Sequence, residues 1–372
     1  SSSSPAMALH PDHRAMRPTT AVGRAPPALL RLSAFAGLSL LLPARPCLAV
    51  GMDRRTVRGP SERARAAAAW LDERLKGLPA FSVPAFGDGY EALSQQDQDY
   101  IQDAGSYLEP HNGYSAPKDK REAFLLRNAE LALEALELSN ASGEVTEELF
   151  LRDVLPFRHF DEPVDNWRPV FFKKLKHLAV GAPDLKSIAE AVAPKIFAGA
   201  LGKKIEFKGD STPGVMAPLT ETLAKGYASC TGISIFMADA LRAVGVPARV
   251  VGTPEWNISS GGNHNWVEVY WGKAWHFLDG APVSTVEWDR TWFLDNAQLA
   301  VPGTKHGIYT PVVDPAETNA RYLITWRDEA FTMPADDRTL FYKNFDPNPK
   351  VDADGEENED WRHYREASEG VR

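Results

Sequence analysis

The central segment of the chain reads Tyr227-Ala-Ser-Cys-Thr-Gly-Ile-Ser-Ile-Phe-Met-Ala-Asp-Ala-Leu-Arg-Ala243. Asp239 and Arg242 are its only charged residues, and its apolar side chains surround the helix axis instead of forming one stripe. This pattern is typical of a helix that is buried on most sides. We therefore expect the rest of the chain to pack around it.

This segment carries a cysteine at its start and is followed by residues that end helices. Gly245 and Pro247 stop the helix, and residues 248–252 predict a buried strand. Cys230 would face the positive end of the helix dipole and unpaired backbone N–H groups, and both stabilise a thiolate. A free cysteine is also a common core residue, so Cys230 alone leaves both roles open.

Two alternating runs follow, residues 264–271 and 273–279, with one glycine between them. Alternation on either side of a glycine predicts a β-hairpin. Pairing of the two strands around that glycine places His264 beside Asp279, while His276 points to the other face. A thiol at a helix start, facing a histidine that a carboxylate orients, is the general arrangement of a cysteine nucleophile.

The order of these motifs resembles the transglutaminase-like superfamily, whose members share a papain-like core with Cys, His and Asp. Four segments carry the resemblance, which covers about residues 205–285: Gly226-Tyr-Ala-Ser-Cys-Thr-Gly232, Ala240-Leu-Arg-Ala-Val-Gly-Val-Pro-Ala-Arg249, His264-x-Trp-x-Glu-Val-Tyr270 and Trp275-x-x-x-Asp279. By this resemblance Cys230 is the nucleophile, His264 is the general base and acid, and Asp279 is the orienting carboxylate.

The resemblance implies an α+β fold, in which the helix bearing the nucleophile packs on an antiparallel sheet. It also implies acyl transfer at an amide bond of a protein or peptide substrate, through a thioester at Cys230. We favour hydrolysis, by a protease or amidase, with an amidase for glycan-linked Asn as a related activity. A cross-linking transglutaminase is the first alternative.

The second alternative is a non-catalytic binding module with a vestigial site. Six of the ten tryptophans lie between Trp256 and Trp292. Tryptophan faces can bind carbohydrate, but core packing around the hairpin explains the cluster equally simply. An intact set of Cys, His and Asp argues against this alternative.

The remaining site predictions concern supporting groups. The backbone N–H of Cys230 is a natural oxyanion donor at a helix start, and Tyr227 and Trp167 are candidates for a second donor. Glu268 is expected to be structural. The histidines are scattered, so the sequence predicts no metal and no cofactor.

Composition and pattern divide the 372-residue chain. Its net charge of −9 lacks the basic excess of a nucleic-acid-binding protein. We predict a helical region at about 60–200, the transglutaminase-like domain at about 203–345, and an acidic mobile tail at 346–372. The sequence leaves the oligomeric state open.

Residues 1–49 have the features of a signal or organelle-targeting segment. Arginines precede an apolar run at Leu32–Leu42, and small residues at Cys47 and Ala49 fit cleavage after Ala49. The apolar run is too short to cross a bilayer, so we expect no integral membrane segment in the mature chain. A secreted or lumenal protein with Cys230 as its one remaining cysteine is the resulting prediction.

Overall fold

Helices come first along the chain and strands later, as the change of hydrophobic period near residue 203 predicts. The computed structural model describes residues 61–76, 120–209, 214–314, 318, 320–326 and 331–347. All of these lie within one unit, Val57–Arg372. The leader segment, residues 77–119 of the predicted helical region and residues 348–372 lie outside the described ranges. The export route and the domain boundary near residue 203 stay predictions.

The helices of the described ranges are mostly short. They are α1 (Glu62–Leu75), α2 (Lys120–Leu136), α3 (Glu147–Leu149), α4 (Trp167–Leu175), α5 (Leu185–Ala198), α6 (Cys230–Arg242), α7 (Leu294–Ala297) and α8 (Thr339–Asn344). Single turns of other helix types lie at Asn140–Glu144 and Lys176–Leu178 (3-10) and at Phe150–Val154 and Pro218–Leu223 (π).

The strands form one large sheet and one small one. They are β1 (Glu206–Phe207), β2 (Tyr227–Ala228), β3 (Ala248–Thr253), β4 (His264–Trp271), β5 (Ala274–Leu278), β6 (Tyr309–Pro311), β7 (Ala320–Ile324) and β8 (Phe331–Asp337). The large sheet is antiparallel, in the order β5-β4-β3-β6-β8-β7, whereas β1 and β2 pair in parallel. The predicted α+β class is confirmed.

Helix α6 occupies the centre of this arrangement. Every residue from Thr231 to Arg242 is buried, as the apolar residues all around the helix predict. The helix packs on β3 and β4 on one side and against α4 and α5 on the other. Gly232 permits a close approach, because a Cβ there would lie 2.7 Å from the Cβ of Ala228. The first turn of α6 is therefore held tightly against β2.

The hairpin of β4 and β5 differs by one residue from the register expected around Gly272. Its turn consists of Gly272 and Lys273, both with positive φ (58° and 69°), which is the two-residue geometry that matches strand twist. Leu278 pairs with Val267. The residue opposite Asp279 therefore lies two positions along β4 from His264. Diagonal neighbours share a face, so the predicted meeting of the two side chains survives the shift.

Glu268 lies behind the site, on β4, in a fully buried ionic cluster. Its carboxylate accepts from Arg249 Nη2 at 2.7 Å, from Arg338 Nε at 3.1 Å and from the Tyr342 hydroxyl at 2.9 Å. Burial raises the pKa of Glu268, but the charges of Arg338 and Arg249 outweigh burial and lower it. These contacts agree with the structural role predicted for Glu268.

Glu268→Ala is expected to lower the free energy of unfolding by about 3 kcal/mol, because removing one partner leaves buried charges uncompensated. The stabilisation is present above the pKa of an unfolded Glu and is lost as the pH falls through the lowered folded pKa. Urea denaturation of both proteins measures the difference. Glu147→Ala is the control, since its ion pair with Arg63 is more than half exposed on both sides. Equal stabilities of the two variants would contradict the expectation.

Candidate active site

Cys230 is the first residue of α6 and a free, half-buried thiol. Its position follows from the sequence, because the polar stretch before it ends where the apolar helix begins. A residue at the start of a helix has backbone N–H groups nearby that no carbonyl of the helix can reach. The helix dipole adds partial positive charge at the same end. Both effects favour negative charge on the sulphur.

His264 is the first residue of β4 and is 7% exposed. Its Nε2 lies 2.7 Å from Oδ1 of Asp279, and its ring interacts with Cys230 closely enough to lower the pKa of the thiol. Because Nε2 is hydrogen-bonded to Asp279, Nδ1 is the ring nitrogen that can exchange a proton with the thiol. The structure thus brings together the three residues to which the sequence assigns the catalysis.

The charges of Cys230 and His264 support each other. Burial alone raises the pKa of Cys230, but the hydrogen bond and charge of His264 lower it below its ordinary value. Burial alone lowers the pKa of His264, but hydrogen bonds with Asp279 and Cys230 raise it to about 9. A thiolate beside an imidazolium is therefore the favoured state between the two pKa values.

Trp292 completes the site on the solvent side. Its Nε1 donates to Oδ2 of Asp279 at 2.9 Å, so that each carboxylate oxygen has its own partner. The indole is 61% exposed, and its ring centroid lies 5.1 Å from that of His264. Sequence reasoning missed this residue. The cluster of tryptophans was the available signal, but it did not indicate which of them reaches the carboxylate.

The other tryptophans near His264 belong mainly to the core. Trp256 and Trp266 are buried and stack in parallel with ring centroids 6.0 Å apart, and Phe293 packs 4.3 Å from Trp266. The packing interpretation of the cluster therefore holds for these residues. Their rings support the imidazole of His264 from behind, and Trp292 presents the exposed surface.

The remaining predictions have mixed outcomes. His276 points away from the site as predicted, since it pairs with Asp289 at 2.6 Å and stacks on Trp271. Trp167 was wrong as an oxyanion donor: it is 1% exposed, and its Nε1 donates to the carbonyl of Phe157 at 3.1 Å. Tyr227 stays a prediction.

The described part of the chain contains neither a metal-binding cluster nor a membrane-spanning helix. No group of three or more His, Cys, Asp or Glu residues there is arranged to hold a metal ion. No helix within the same residues combines the length and apolar character needed to cross a bilayer.

One segment of the chain matches a known family. Residues 180–280 match the family model of the transglutaminase-like superfamily, and this segment contains Cys230, His264 and Asp279. The likeness to this superfamily is shown for the matched segment, which makes up 101 of the 372 residues.

Individual proteins add little to this assignment. No curated protein matches the chain. Among solved structures, a candidate cysteine protease from Cytophaga hutchinsonii is 18% identical over 31% of this chain, with a TM-score of 0.25. The alignment spans 37% of that protein, which is little more than a third of its length.

The pH dependence of alkylation tests the thiolate. The reactive thiolate disappears as the pH falls through the pKa of Cys230, so a lowered pKa keeps alkylation fast below about 8.5, the value of a free thiol. His264→Ala removes the charge that lowers this pKa and should move the midpoint upward. Rates of iodoacetamide labelling across the pH range measure both midpoints. A wild-type midpoint at the free-thiol value, unchanged in His264→Ala, would disprove the ion pair.

Proposed function

We propose that this protein is a cysteine hydrolase that cleaves amide bonds of proteins or peptides through a thioester at Cys230. One observation carries the proposal: His264 Nε2 is hydrogen-bonded to Asp279 at 2.7 Å, while the same imidazole lowers the pKa of the Cys230 thiol. A carboxylate, an imidazole and a thiol in this order form the arrangement of nucleophilic amide cleavage.

The first half of the reaction forms the thioester. The sulphur of Cys230 attacks the substrate carbonyl carbon, and the resulting oxyanion is stabilised by the Cys230 N–H at the helix start. His264 gives its Nδ1 proton to the amide nitrogen, the C–N bond breaks, and an amine leaves. Asp279 holds the ring with Nε2 protonated throughout, so that Nδ1 is the nitrogen that exchanges protons with the reactants.

The second half releases the acid. His264 accepts a proton from a water molecule, the hydroxide oxygen attacks the thioester carbonyl, and the sulphur leaves as thiolate. Cross-linking would follow the same first half with an amine in place of water. We favour water because the sequence shows no feature that selects an amine acceptor.

Casein incubated with and without a fluorescent primary amine, monodansylcadaverine, distinguishes the reactions. Hydrolysis of peptide bonds creates new casein N-termini in both incubations, which isotopic amine labelling and mass spectrometry identify. If casein becomes fluorescent but gains no new N-termini, the reaction is cross-linking and the proposal of hydrolysis is wrong. Casein left unchanged in both incubations, at the same level as with Cys230→Ala, would count against hydrolysis of protein substrates and favour the binding module.

A further inference from the structure

Trp292 has an exposed indole that nevertheless lies against three buried rings. The ring centroids of Trp256, His264 and Phe293 lie 6.5, 5.1 and 5.7 Å from its own. All three of those residues are buried, whereas Trp292 is 61% exposed. Its Nε1 donates to Asp279 Oδ2 at 2.9 Å. The indole thus stands between the solvent and the hydrogen-bonded pair of histidine and carboxylate.

The loop at 280–293, which carries this indole, is fastened to the core at two points. Asp289 joins it to β5, because its backbone N–H donates to the carbonyl of Phe277 at 3.1 Å and its Oδ1 accepts from the Phe277 N–H at 2.9 Å. Phe293 is fully buried, and its ring centroid lies 4.3 Å from that of Trp266. These contacts hold the indole beside the carboxylate independently of its own hydrogen bond.

The carboxylate of Asp279 has one partner for each oxygen. Oδ1 lies 2.7 Å from His264 Nε2, and Oδ2 accepts from Trp292. The side chain of Asp279 is 22% exposed, so water can reach it. The terminal torsion of an aspartate is broad, and a single hydrogen bond leaves the carboxylate free to turn. The indole N–H is a second, fixed partner that keeps Oδ1 directed at the imidazole.

The charge of His264 depends on that carboxylate. Burial lowers the pKa of His264, but the interactions with Asp279 and Cys230 outweigh burial and raise it to about 9. These are the titratable groups that face the imidazole, from the end of β5 and the start of α6, and the rings packed around it are uncharged. A carboxylate that turns away would stabilise the imidazolium less, and a weaker imidazolium would stabilise the thiolate less.

We propose that Trp292 is a positioning residue, whose indole N–H keeps the carboxylate of Asp279 directed at His264 while its ring limits the access of water to their hydrogen bond. The proposal rests on the Cys230 site of the proposed function and deepens it. Its test measures the reactivity of the thiol without any substrate, so that the two proposals can fail separately.

Trp292→Phe removes the N–H and keeps an aromatic ring beside His264. The midpoint of iodoacetamide labelling should rise by about half a pH unit, which corresponds to about threefold less thiolate below the midpoint. Trp288→Phe is the matched control. Trp288 lies in the same loop and its Nε1 also donates to a carboxylate at 2.9 Å, but that carboxylate belongs to Glu190 on α5.

A double-mutant cycle with Asp279→Ala separates a positioning role from a merely structural one. If the indole acts through the carboxylate, Trp292→Phe should not shift the midpoint further in a protein that already carries Asp279→Ala. Thermal melts identify any variant that is unfolded. Trp292→Leu, which also lacks the N–H, takes the place of Trp292→Phe if the latter does not fold.

A folded Trp292→Phe protein that labels like Trp288→Phe would overturn the proposal. An equal shift with and without the carboxylate of Asp279 would overturn it as well, because the indole would then act by another route. A shifted profile in a protein that leaves casein intact would keep this inference and reject the proposed function. Casein cleavage by the wild type, with no shift in Trp292→Phe, would do the reverse.

Discussion

Cys230→Ala is expected to abolish casein hydrolysis while the protein remains folded. The sulphur is the atom that bonds to the substrate, and the hydroxyl of Ser234, one turn further along the helix, donates its proton to the carbonyl of Cys230 at 2.8 Å. In hydrolases that combine a nucleophile with a histidine and a carboxylate, removal of the nucleophile lowers turnover by about four to six orders of magnitude. The rate of appearance of new N-termini in casein measures the loss.

A fold control accompanies this variant. Cys230 is half-buried and contributes a small side chain, so Cys230→Ala should unfold within a few degrees of the wild type in a thermal melt. A Cys230→Ala protein that melts normally and still cleaves casein at more than a hundredth of the wild-type rate would show that another residue is the nucleophile.

Asp279→Asn is expected to lower turnover by about 10²–10³, which is less than the loss of about 10⁴ in the serine-protease example. The amide keeps the size of the carboxylate but can present N–H₂ to His264, which favours the wrong tautomer. A thiolate–imidazolium pair needs less help from the third residue than a serine does. Steady-state kinetics on the casein bond cleaved fastest give kcat and KM separately, and the loss should lie in kcat.

His276→Ala is the matched control for Asp279→Asn. His276 stands on the opposite face of the same hairpin, paired with Asp289, so its loss should leave turnover within a few-fold of the wild type. If the two variants lose activity equally, the carboxylate of Asp279 does not orient His264, and the argument from strand faces is wrong.

The sequence predicts the elements that carry the reacting groups because their signals are local. An apolar helix starting at Cys230 and an alternating strand starting at His264 are confirmed at their first residues. Alternation also fixes which face Asp279 shares with His264. The exact register of the β4–β5 hairpin depends on the backbone conformation at Gly272 and Lys273, which the alternation of apolar and polar residues does not predict.

The residues that support the site were beyond the sequence argument because they meet across long separations. Trp292 reaches Asp279 from a loop 13 residues away, and Phe293 packs on Trp266 from the same loop. No periodic pattern links such positions. Trp167 is the opposite case. Its residue type and its position along the chain suggested an oxyanion donor, but its indole N–H already donates to the carbonyl of Phe157.

Direct detection of a thioester on Cys230 tests the central claim. The protein is mixed with p-nitrophenyl acetate, a generic activated acyl donor, quenched in acid and mapped by mass spectrometry, with His264→Ala treated in parallel. The account predicts a burst of p-nitrophenol and an acetyl group on Cys230 that hydroxylamine removes, with both much reduced in His264→Ala. An unmodified Cys230, or acetylation that is equal in the wild type and His264→Ala, would contradict it.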